Sequence, residues 1–417
     1  MIGTAALAAA LIQGELGSRP NFIVILADDL GYGSLGCYGE TEIPTPNIDS
    51  LAKNGVRVTD AYVTCPVCSP TRAGLLTGRY QQRFGHEFNP GPQGQASEKF
   101  GLTKSEAIIP EVLAKNGYRA GMVGKWHLGY EKGFTPMDRG FGSFFGFLGG
   151  AHPYFAGQRR SQVMRGRSPV METEYLTDAF ARESVEFIKT DDKSPFFLYL
   201  AFNAVHSPLQ STEDYSASFP DLKGKRKTFA GMLTGLDKAV GRVLETLKER
   251  KLAENTVIFF LSDNGGPTPQ TTSKNGPLRG FKGQVYEGGI RVPFIVQWKG
   301  EIMPNKAIPT PCSSLDIFPT ILDAAGISKE QGKPGLEGES LIPLIKGDAS
   351  LRPTRSFFWR FGSQRAVRSG DWKLVAGPGS KSELFNLLDD IGETKDESRN
   401  YPRKKAELER LYADWDK

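Results

Sequence analysis

The chain has 417 residues, which suits one large domain with a smaller second one better than three domains. Hydrophobic residues make up 39% and charged residues 24%, as is ordinary for a globular protein with a sizeable core. The net charge of +5 is spread along the chain without a block of like charges, which argues against a nucleic-acid-binding protein. Four cysteines are too few for a disulfide framework.

The first segment, residues 1–18, contains an apolar, alanine-rich stretch from Ile2 to Ile12. This stretch is too short to span a bilayer and lacks the basic residues that begin a signal peptide. We interpret residues 1–18 as a signal-peptide remnant or a disordered start, and the former predicts a periplasmic or secreted protein. No other segment is long and apolar enough to predict a membrane span.

Several short runs of apolar, β-branched or aromatic residues predict buried strands. The clearest are Asn21–Ala27, Arg119–Gly124, Phe196–Phe202, Thr256–Ser262 and Pro293–Trp298. Their continuous apolarity indicates strands covered on both faces, as in a mainly parallel sheet. Amphipathic helical patterns lie between them, the longest from Phe229 to Leu247. The alternation predicts an α/β fold over residues 19–345, with a large mixed, mainly parallel sheet sandwiched by helices.

Residues 346–417 have a different pattern, which predicts a C-terminal subdomain. Short strand-like pieces (Ser356–Phe361, Gln364–Arg368 and Lys373–Val375) are separated by glycine-rich turns, and a charged helix follows at about Arg403–Asp414. We expect a small antiparallel sheet with one helix.

Acidic residues follow two of the predicted strands of the large sheet. Asp28 and Asp29 come after the first strand, and Asp263 and Asn264 come after the fourth. In open α/β sheets, ligands bind beyond the carboxyl ends of the strands. Carboxylate and amide oxygens suit Ca²⁺ or Mg²⁺, although either pair alone could simply be a helix cap or a turn.

Basic residues follow two other predicted strands. Lys125 and His127 come after the second strand, and His206 comes shortly after the third. Histidines suit proton transfer near neutral pH, whereas a lone histidine is more often a structural residue. The remaining histidines, His86 and His152, lie in segments that could rim a pocket, where they are candidate sugar contacts or ordinary loop residues.

The segment around Cys68 combines a CxxC pair, Cys65 and Cys68, with a helix start. Ser69 is a good N-cap and Pro70 fits the first helical position, so Cys68 is predicted at the positive end of a short helix. Arg72 lies one turn into this helix and is expected to face back towards its start. Such a site binds a tetrahedral oxyanion, but by itself it does not distinguish sulfate from phosphate, nor a cysteine nucleophile from a modified one.

The run Cys68-Ser-Pro-Thr-Arg72, followed by AGLLTGR, resembles the signature of type I sulfatases in the alkaline phosphatase superfamily. In that family a modifying enzyme converts the cysteine of a Cys-x-Pro-x-Arg core to formylglycine. Further runs resemble family motifs in the family order: NFIVILADDLGYG at 21–33, GKWHLG at 124–129, AVHSP at 204–208, SDNGG at 262–266, LRGFKGQVYEGGIRVP at 278–293 and ELFNL at 383–387. The resemblance therefore covers residues 20–417.

The resemblance implies a role for each matching residue. It assigns a divalent metal, usually Ca²⁺ with Mg²⁺ as the alternative, to Asp28, Asp29, Cys68, Asp263 and Asn264. Arg72 would stabilise the hydrated aldehyde, while Lys125 and Lys282 would clamp the sulfate oxygens. His127 would act on the second hydroxyl of the hydrate, and His206 would lie near the leaving-group oxygen. Lys282 is a site residue by the resemblance alone.

The resemblance also implies a reaction: hydrolysis of a sulfate ester on a sulfated carbohydrate. One hydroxyl of the hydrated aldehyde attacks sulfur, and the second later expels sulfate. The implied protein partner is a formylglycine-generating enzyme or an anaerobic sulfatase-maturating enzyme. The alternatives are a phosphate or phosphonate monoester hydrolase on the same fold and an inactive sugar-binding relative.

Overall fold

The computed structural model describes residues 19–91, 100–157, 162–348 and 355–417. The predicted signal-peptide remnant, residues 1–18, lies outside the described residues. The β-strands are β1 Asn21–Ala27, β2 Val56–Val58, β3 Ala61–Tyr62, β4 Arg119–Lys125, β5 Ser143–Phe147, β6 Val163–Arg165, β7 Ser168–Val170, β8 Phe196–Ala201, β9 Thr256–Ser262, β10 Phe294–Trp298, β11 Lys306–Ile308, β12 Cys312–Ser313, β13 Ser356–Phe361, β14 Gln364–Ser369, β15 Trp372–Ala376 and β16 Glu383–Asn386.

The α-helices lie between these strands and after them. They are α1 Pro46–Lys53, α2 Cys68–Thr77, α3 Ile109–Lys115, α4 Leu176–Lys189, α5 Glu213–Ala217, α6 Gly224–Glu249, α7 Thr268–Thr271, α8 Glu287–Ile290, α9 Ile317–Ala324, α10 Lys329–Gly332, α11 Ile342–Ile345 and α12 Pro402–Trp415. In the part of the chain that the structure describes, none of these helices is long and apolar enough to cross a membrane.

The central sheet has ten strands in the order β11-β2-β10-β9-β1-β8-β4-β5-β6-β7. Five neighbouring strands, from β9 through β1, β8 and β4 to β5, run parallel to one another. Strand β10 pairs antiparallel with both β9 and β2, and β6 and β7 continue the other side as an antiparallel extension. The predicted mixed, mainly parallel sheet is confirmed.

Both faces of the sheet are covered by helices, which explains why central strands such as β1, β8 and β9 are buried along their whole length. Along β1, Ile23 and Ile25 pack into one core together with α4 and α6, whereas Phe22 and Val24 pack into the opposite core with α2, α3 and α9. Every residue of β1 is buried, so the pattern of one polar and one apolar face is missing.

The register of the parallel strands brings their carboxyl ends to one edge. Ala27 of β1 pairs with Ser262 of β9, and Leu26 pairs with Ala201 of β8, which in turn pairs with Gly124 of β4. The residues that follow these positions therefore lie side by side. The four predicted strand ends converge, as expected for a sheet of this type.

The C-terminal strands form a separate antiparallel sheet in the order β13-β14-β15-β16, packed against α12. One face of this sheet contacts the larger part of the chain, which carries the central sheet, through a cluster of Tyr62, Val285, Tyr286, Ile290, Phe357, Trp359, Ala366, Val375, Phe385 and Leu387. This confirms the predicted small antiparallel sheet with one helix.

One detail of the predicted helix at Cys68 is wrong. The helix begins at Cys68, with Val67 as N-cap, instead of being capped by Ser69. The Ser69 hydroxyl group is used elsewhere: it donates to the carbonyl oxygen of His127, 2.6 Å away, and lies 2.7 Å from Nε2 of His86. Pro70 still lies in the first turn, and Gly78 ends the helix in a left-handed conformation at φ 64°.

Candidate active site

Cys68 is the first residue of α2 and lies at the carboxyl edge of the sheet with only 1% of its surface exposed. Its Sγ lies 3.6 Å from Oδ1 of Asp28 and 3.4 Å from Nζ of Lys282. Burial raises the pKa of the Cys68 thiol to about 12, so the thiol is neutral at physiological pH in this structure. The backbone N–H groups at the start of a helix have no hydrogen-bond partner within the helix, so they favour an anion at this position.

Asp28 and Asp263 form ion pairs with Lys125 and Arg72. Lys125 Nζ lies 2.6 Å from Oδ2 of Asp28, and Arg72 donates from Nη2 to Oδ2 of Asp263 at 2.7 Å. Arg72 also donates to the backbone carbonyl of Lys125 at 2.9 Å, which joins α2 to β4. All four side chains are fully buried, so these charges are held in place by one another.

Asp29 contacts Lys282, Asn264 and His206. Lys282 Nζ lies 2.6 Å from Oδ1 of Asp29, and Nδ2 of Asn264 donates to the same oxygen at 2.7 Å. His206 Nε2 lies 3.6 Å from Oδ2 of Asp29. Asp29 has a left-handed backbone at φ 63°, which turns its side chain into the cluster directly after β1.

Burial would normally oppose ionisation of these carboxyl groups. The nearby positive charges of Lys125 and Arg72, together with His206, outweigh burial and lower the pKa of Asp28 below its usual value. For Asp29, Lys282 and His206 likewise outweigh burial and lower the pKa. Both groups are therefore carboxylates at neutral pH.

The carboxylate oxygens of Asp28 and Asp29 and their surroundings fit a hard divalent cation. Ligand atoms of Asp28, Asp29, Cys68 and His206 all lie within 4.8 Å of one another. Oδ1 of Asn264 is buried and has no hydrogen-bond partner among the described residues, although a buried amide oxygen is normally satisfied. Buried carboxylates next to an unpaired amide oxygen are the donor set that Ca²⁺ and Mg²⁺ take.

His127 follows β4 with a left-handed backbone at φ 59° and is 5% exposed. Its Nδ1 is buried and has no hydrogen-bond partner within the described ranges. Burial, reinforced by the charges of Lys125 and Arg72, lowers the pKa of His127 well below its usual value. A neutral imidazole with an unpaired nitrogen can accept a proton.

The two candidate sugar contacts, His86 and His152, are both buried. His86 is 1% exposed, bonds to Ser69 and stacks on Phe100 with ring centroids 4.6 Å apart. His152 is 9% exposed, has Nδ1 2.6 Å from the carbonyl oxygen of Pro153 and lies against Phe147. Their roles as sugar contacts stay predictions.

Two residues position the site through contacts that were not predicted from the sequence. Ser69 links the backbone at His127 to His86, as described above. Asn275 accepts from the N–H of Gly266 at 2.8 Å and donates to the carbonyl oxygens of Gly266 and Gly280 at 2.9 and 3.2 Å. It thereby joins the loop of Asn264 to the loop of Lys282. An isolated asparagine in a polar loop does not reveal such a long-range contact.

Comparison with known proteins identifies the family. The sulfatase family model matches residues 20–327, and a second model, N-sulphoglucosamine sulphohydrolase, C-terminal, matches residues 281–408. The chain belongs to the sulfatase family. Human N-acetylgalactosamine-6-sulfatase is 32% identical to this sulfatase over 380 residues, covering 85% of this chain and 71% of the relative. Human arylsulfatase A is 36% identical over 405 residues, covering 87% and 76%.

Solved structures of related proteins share the fold of this sulfatase over nearly its whole length. Ps i-CgsB in complex with k-i-k-neocarrahexaose has a TM-score of 0.90 and 36% identity, covering 95% of this chain and 93% of the other. PsFucS1 sulfatase from Pseudoalteromonas sp. has a TM-score of 0.80 and 25% identity, covering 96% and 91%. The protein is therefore an enzyme of the sulfatase class.

Proposed function

We propose that this enzyme desulfates a sulfated carbohydrate with a formylglycine formed from Cys68 and one bound divalent cation. The observation that carries the proposal is the position of Cys68 at the start of α2, with its Sγ 3.6 Å from Asp28 and 3.4 Å from Lys282. A side chain at this point reaches the acidic cluster and the cationic groups together. The unmodified thiol, with its raised pKa, is poorly suited to attack at neutral pH.

The formylglycine would supply a hydrated aldehyde, with one hydroxyl to attack sulfur and a second to release sulfate. We propose that Arg72, fixed by Asp263 and the carbonyl of Lys125, stabilises the negative charge on this group. A formylglycine-generating enzyme or an anaerobic sulfatase-maturating enzyme would carry out the conversion.

A bound Ca²⁺ or Mg²⁺ ion would offset the charge of the sulfate group and make the attacking hydroxyl more acidic. Asp28, Asp29, Asp263 and Asn264 would hold it, together with the modified Cys68. Lys125 and Lys282 would contact the sulfate oxygens. In the structure each lysine already lies 2.6 Å from a carboxylate of this set, so both ammonium groups point into the site.

Two histidines would handle the protons. His127, kept neutral by burial and nearby cations, would take the proton from the second hydroxyl when sulfate leaves. His206 has Nδ1 2.5 Å from the carbonyl oxygen of Ser207, which can only accept, so Nδ1 carries a proton. Its Nε2 faces the site and would lie near the leaving-group oxygen.

A carbohydrate substrate is proposed from the relatives. Human N-acetylgalactosamine-6-sulfatase carries a sulfated amino sugar in its name, and Ps i-CgsB has been solved with k-i-k-neocarrahexaose. We propose that this enzyme takes a sulfated oligosaccharide of the same general kind. A periplasmic or secreted location stays a prediction, because it depends on residues 1–18.

Mass spectrometry of the tryptic peptide 58–72 tests the modification. We expect the peptide to be lighter by about 18 mass units, the change from CH₂SH to CHO at Cys68. Cys65 lies on the same peptide, so fragment ions must place the loss at Cys68. Cys65→Ser should keep the loss and Cys68→Ala should abolish it. An unmodified Cys68 in fully active protein would contradict the proposal.

A panel of 4-nitrophenyl sulfate, 4-nitrophenyl phosphate, N-acetylgalactosamine 6-sulfate and k-i-k-neocarrahexaose tests the reaction and the substrate class. We expect sulfate release to exceed phosphate release in kcat/KM. Faster phosphate turnover would favour the phosphoesterase alternative. The absence of any turnover by modified, Ca²⁺-loaded protein would favour the inactive sugar-binding alternative.

A further inference from the structure

Two phenylalanines from distant parts of the chain meet at the surface. Phe88 lies in the loop after α2 and is 58% exposed. Phe361, the last residue of β13, is half-buried, and the two ring centroids are 6.4 Å apart at 45°. A single exposed aromatic residue is ordinary, whereas a contacting pair with one ring largely in water offers a flat apolar surface to a ligand.

The loop of Phe88 is joined to the start of α2. Oδ1 of the next residue, Asn89, accepts a hydrogen bond from the backbone N–H of Ser69 at 3.0 Å. Ser69 follows Cys68 directly. Phe88 therefore belongs to the loop that borders the nucleophile position.

The end of β13 is joined to the loop that carries Lys282. Gln364, which pairs with Phe361 across the turn, donates from Nε2 to the carbonyl oxygen of Gly283 at 2.7 Å. The N–H of Gly283 donates in turn to the carbonyl oxygen of Pro66 at 2.9 Å. Phe361 therefore lies where the segments that carry Cys68 and Lys282 meet.

An ion pair holds the two phenylalanines together. Arg360 binds Glu87 in a two-point fork, with both nitrogen–oxygen distances 2.9 Å, and also contacts Asp416 at 2.6 Å. A paired Arg–carboxylate fork fixes orientation as well as distance. Arg360 is thus paired with two carboxylates, which balance its charge beside the two rings.

We propose that Phe88 and Phe361 form a platform on which a sugar ring stacks, next to the ring that carries the sulfate ester. The inference rests on the proposed function, because it takes the substrate to be a sulfated oligosaccharide. The occupant is a neighbouring sugar of that oligosaccharide. Its C–H groups would face the negative faces of the aromatic rings, while its hydroxyl groups stay in water.

The platform gives the C-terminal subdomain a part in substrate choice. Phe361 belongs to β13, whereas Phe88 belongs to the catalytic part, so the binding surface exists only when the two parts are packed together. A monosaccharide sulfate or an aryl sulfate would leave the platform empty, and a longer chain would cover it.

The test compares kcat/KM for k-i-k-neocarrahexaose with kcat/KM for 4-nitrophenyl sulfate in the modified, Ca²⁺-loaded enzyme. In Phe88→Ala and Phe361→Ala we expect the ratio of the two values to fall about tenfold, mainly through KM for the oligosaccharide. Phe88→Trp should keep the ratio and Phe88→Leu should not, because leucine has the bulk but lacks the flat ring. A merely structural role would lower both values by the same factor.

Tyr401→Ala is the matched control. Tyr401 is 48% exposed and contacts Trp372, at the end of the C-terminal sheet opposite to Phe361. An unchanged ratio in both phenylalanine variants, or an equal fall in Tyr401→Ala, would overturn the platform. So would wild-type enzyme that hydrolyses 4-nitrophenyl sulfate but neither binds nor hydrolyses the oligosaccharide. Wild-type enzyme that hydrolyses no sulfate ester would instead overturn the proposed function itself.

Discussion

At the scale of single residues, the site is organised around charge balance. Three carboxylates, Asp28, Asp29 and Asp263, are each within hydrogen-bond distance of a lysine or an arginine in this structure. A buried ion is tolerated only when it is paired and hydrogen-bonded. The nearby cations thus keep Asp28 and Asp29 ionised, and we propose that a divalent cation binds beside them.

Asn264 gives a direct test of cation binding. Because its Oδ1 is buried and unpaired, we expect Asn264→Ala to weaken Ca²⁺ binding about 10- to 100-fold, and Asn264→Asp to retain it. Calorimetric titration with Ca²⁺ measures this without relying on activity. Saturating Ca²⁺ at about 100 times Kd should stabilise the wild type by about 2.7 kcal/mol.

Asn54→Ala is the control for this titration, since Asn54 is exposed and its side chain donates to the carbonyl oxygen of Ser50, one helix turn away. Equal Ca²⁺ affinity in Asn264→Ala and Asn54→Ala would contradict the cation site.

His86 predicts a pH dependence of stability. Burial lowers the pKa of His86 from 6.5 to about 4, so the unfolded chain takes up a proton at this residue before the folded protein does. Stability is therefore complete above pH 6.5 and falls as pH drops towards 4. The loss amounts to on the order of 3 kcal/mol.

The comparison is between wild type and His86→Gln, whose amide can still bond to Ser69 and does not titrate. Urea unfolding from pH 7 to pH 4 should show a shallower decline for the variant. Parallel curves for the two proteins would contradict the assignment.

At the scale of elements, the close approach of one loop fixes the position of His127, the residue that we propose as proton acceptor. The loop after β5 passes the ring of His127, and a Cβ atom added at Gly150 would lie 2.5 Å from Nε2 of His127. The neighbouring Gly149 has room: an added Cβ there would lie 3.6 Å from its nearest neighbour, the Tyr130 hydroxyl oxygen. A methyl group therefore fits at Gly149 but would clash with His127 at Gly150.

We expect Gly150→Ala to displace the imidazole of His127 and to lower kcat about 100-fold, because a shift of about 1 Å in a catalytic group has effects of this size. Gly149→Ala should stay close to wild type. Steady-state kinetics with 4-nitrophenyl sulfate measure both variants, and Ca²⁺ titration shows whether the rest of the site is intact. Equal activity of the two variants would contradict the role of this contact.

At the scale of the whole molecule, buried charges join the C-terminal sheet to the catalytic part. Lys373 of β15 lies 2.8 Å from Glu287 at the start of α8 and 2.9 Å from Glu393, and all three side chains are fully buried. We propose that residues 346–417 form a subdomain with its boundary near residue 345. The stability of this subdomain would depend on the contact of Lys373 with Glu287 and Glu393.

Lys373→Met should leave the buried carboxylate of Glu287 and the buried side chain of Glu393 without their shared cation and destabilise the protein by about 3 to 5 kcal/mol. Lys395→Met is the control, because Lys395 is 73% exposed and its ion pair with Glu397 is screened by water. Urea unfolding followed by tryptophan fluorescence compares them. An equally small effect of the two substitutions would show that the buried pair does not hold the two parts together.

Much of the fold followed from local sequence. Strands β1 and β9 have the predicted bounds, β13 does too, and α12 extends the predicted helix by one residue at each end. Continuous apolar runs are sufficient to identify central strands, because such strands are covered on both faces. Short strands such as β2, β11 and β12 were not predicted, since two or three residues do not establish a period.

The sequence by itself determined the inventory of the site, because the Cys68 run and the residues after the strands are local features. Only the tertiary structure decided which groups touch. The register of β1, β8, β9 and β4 brings Asp28, Asp263 and Lys125 together, and the fold sets His86 beneath Ser69. It also pairs Phe88 with Phe361, 273 positions further along the chain. The Cys68 motif carries its chemistry within five residues, but pairing across hundreds of residues depends on packing, which leaves no local trace.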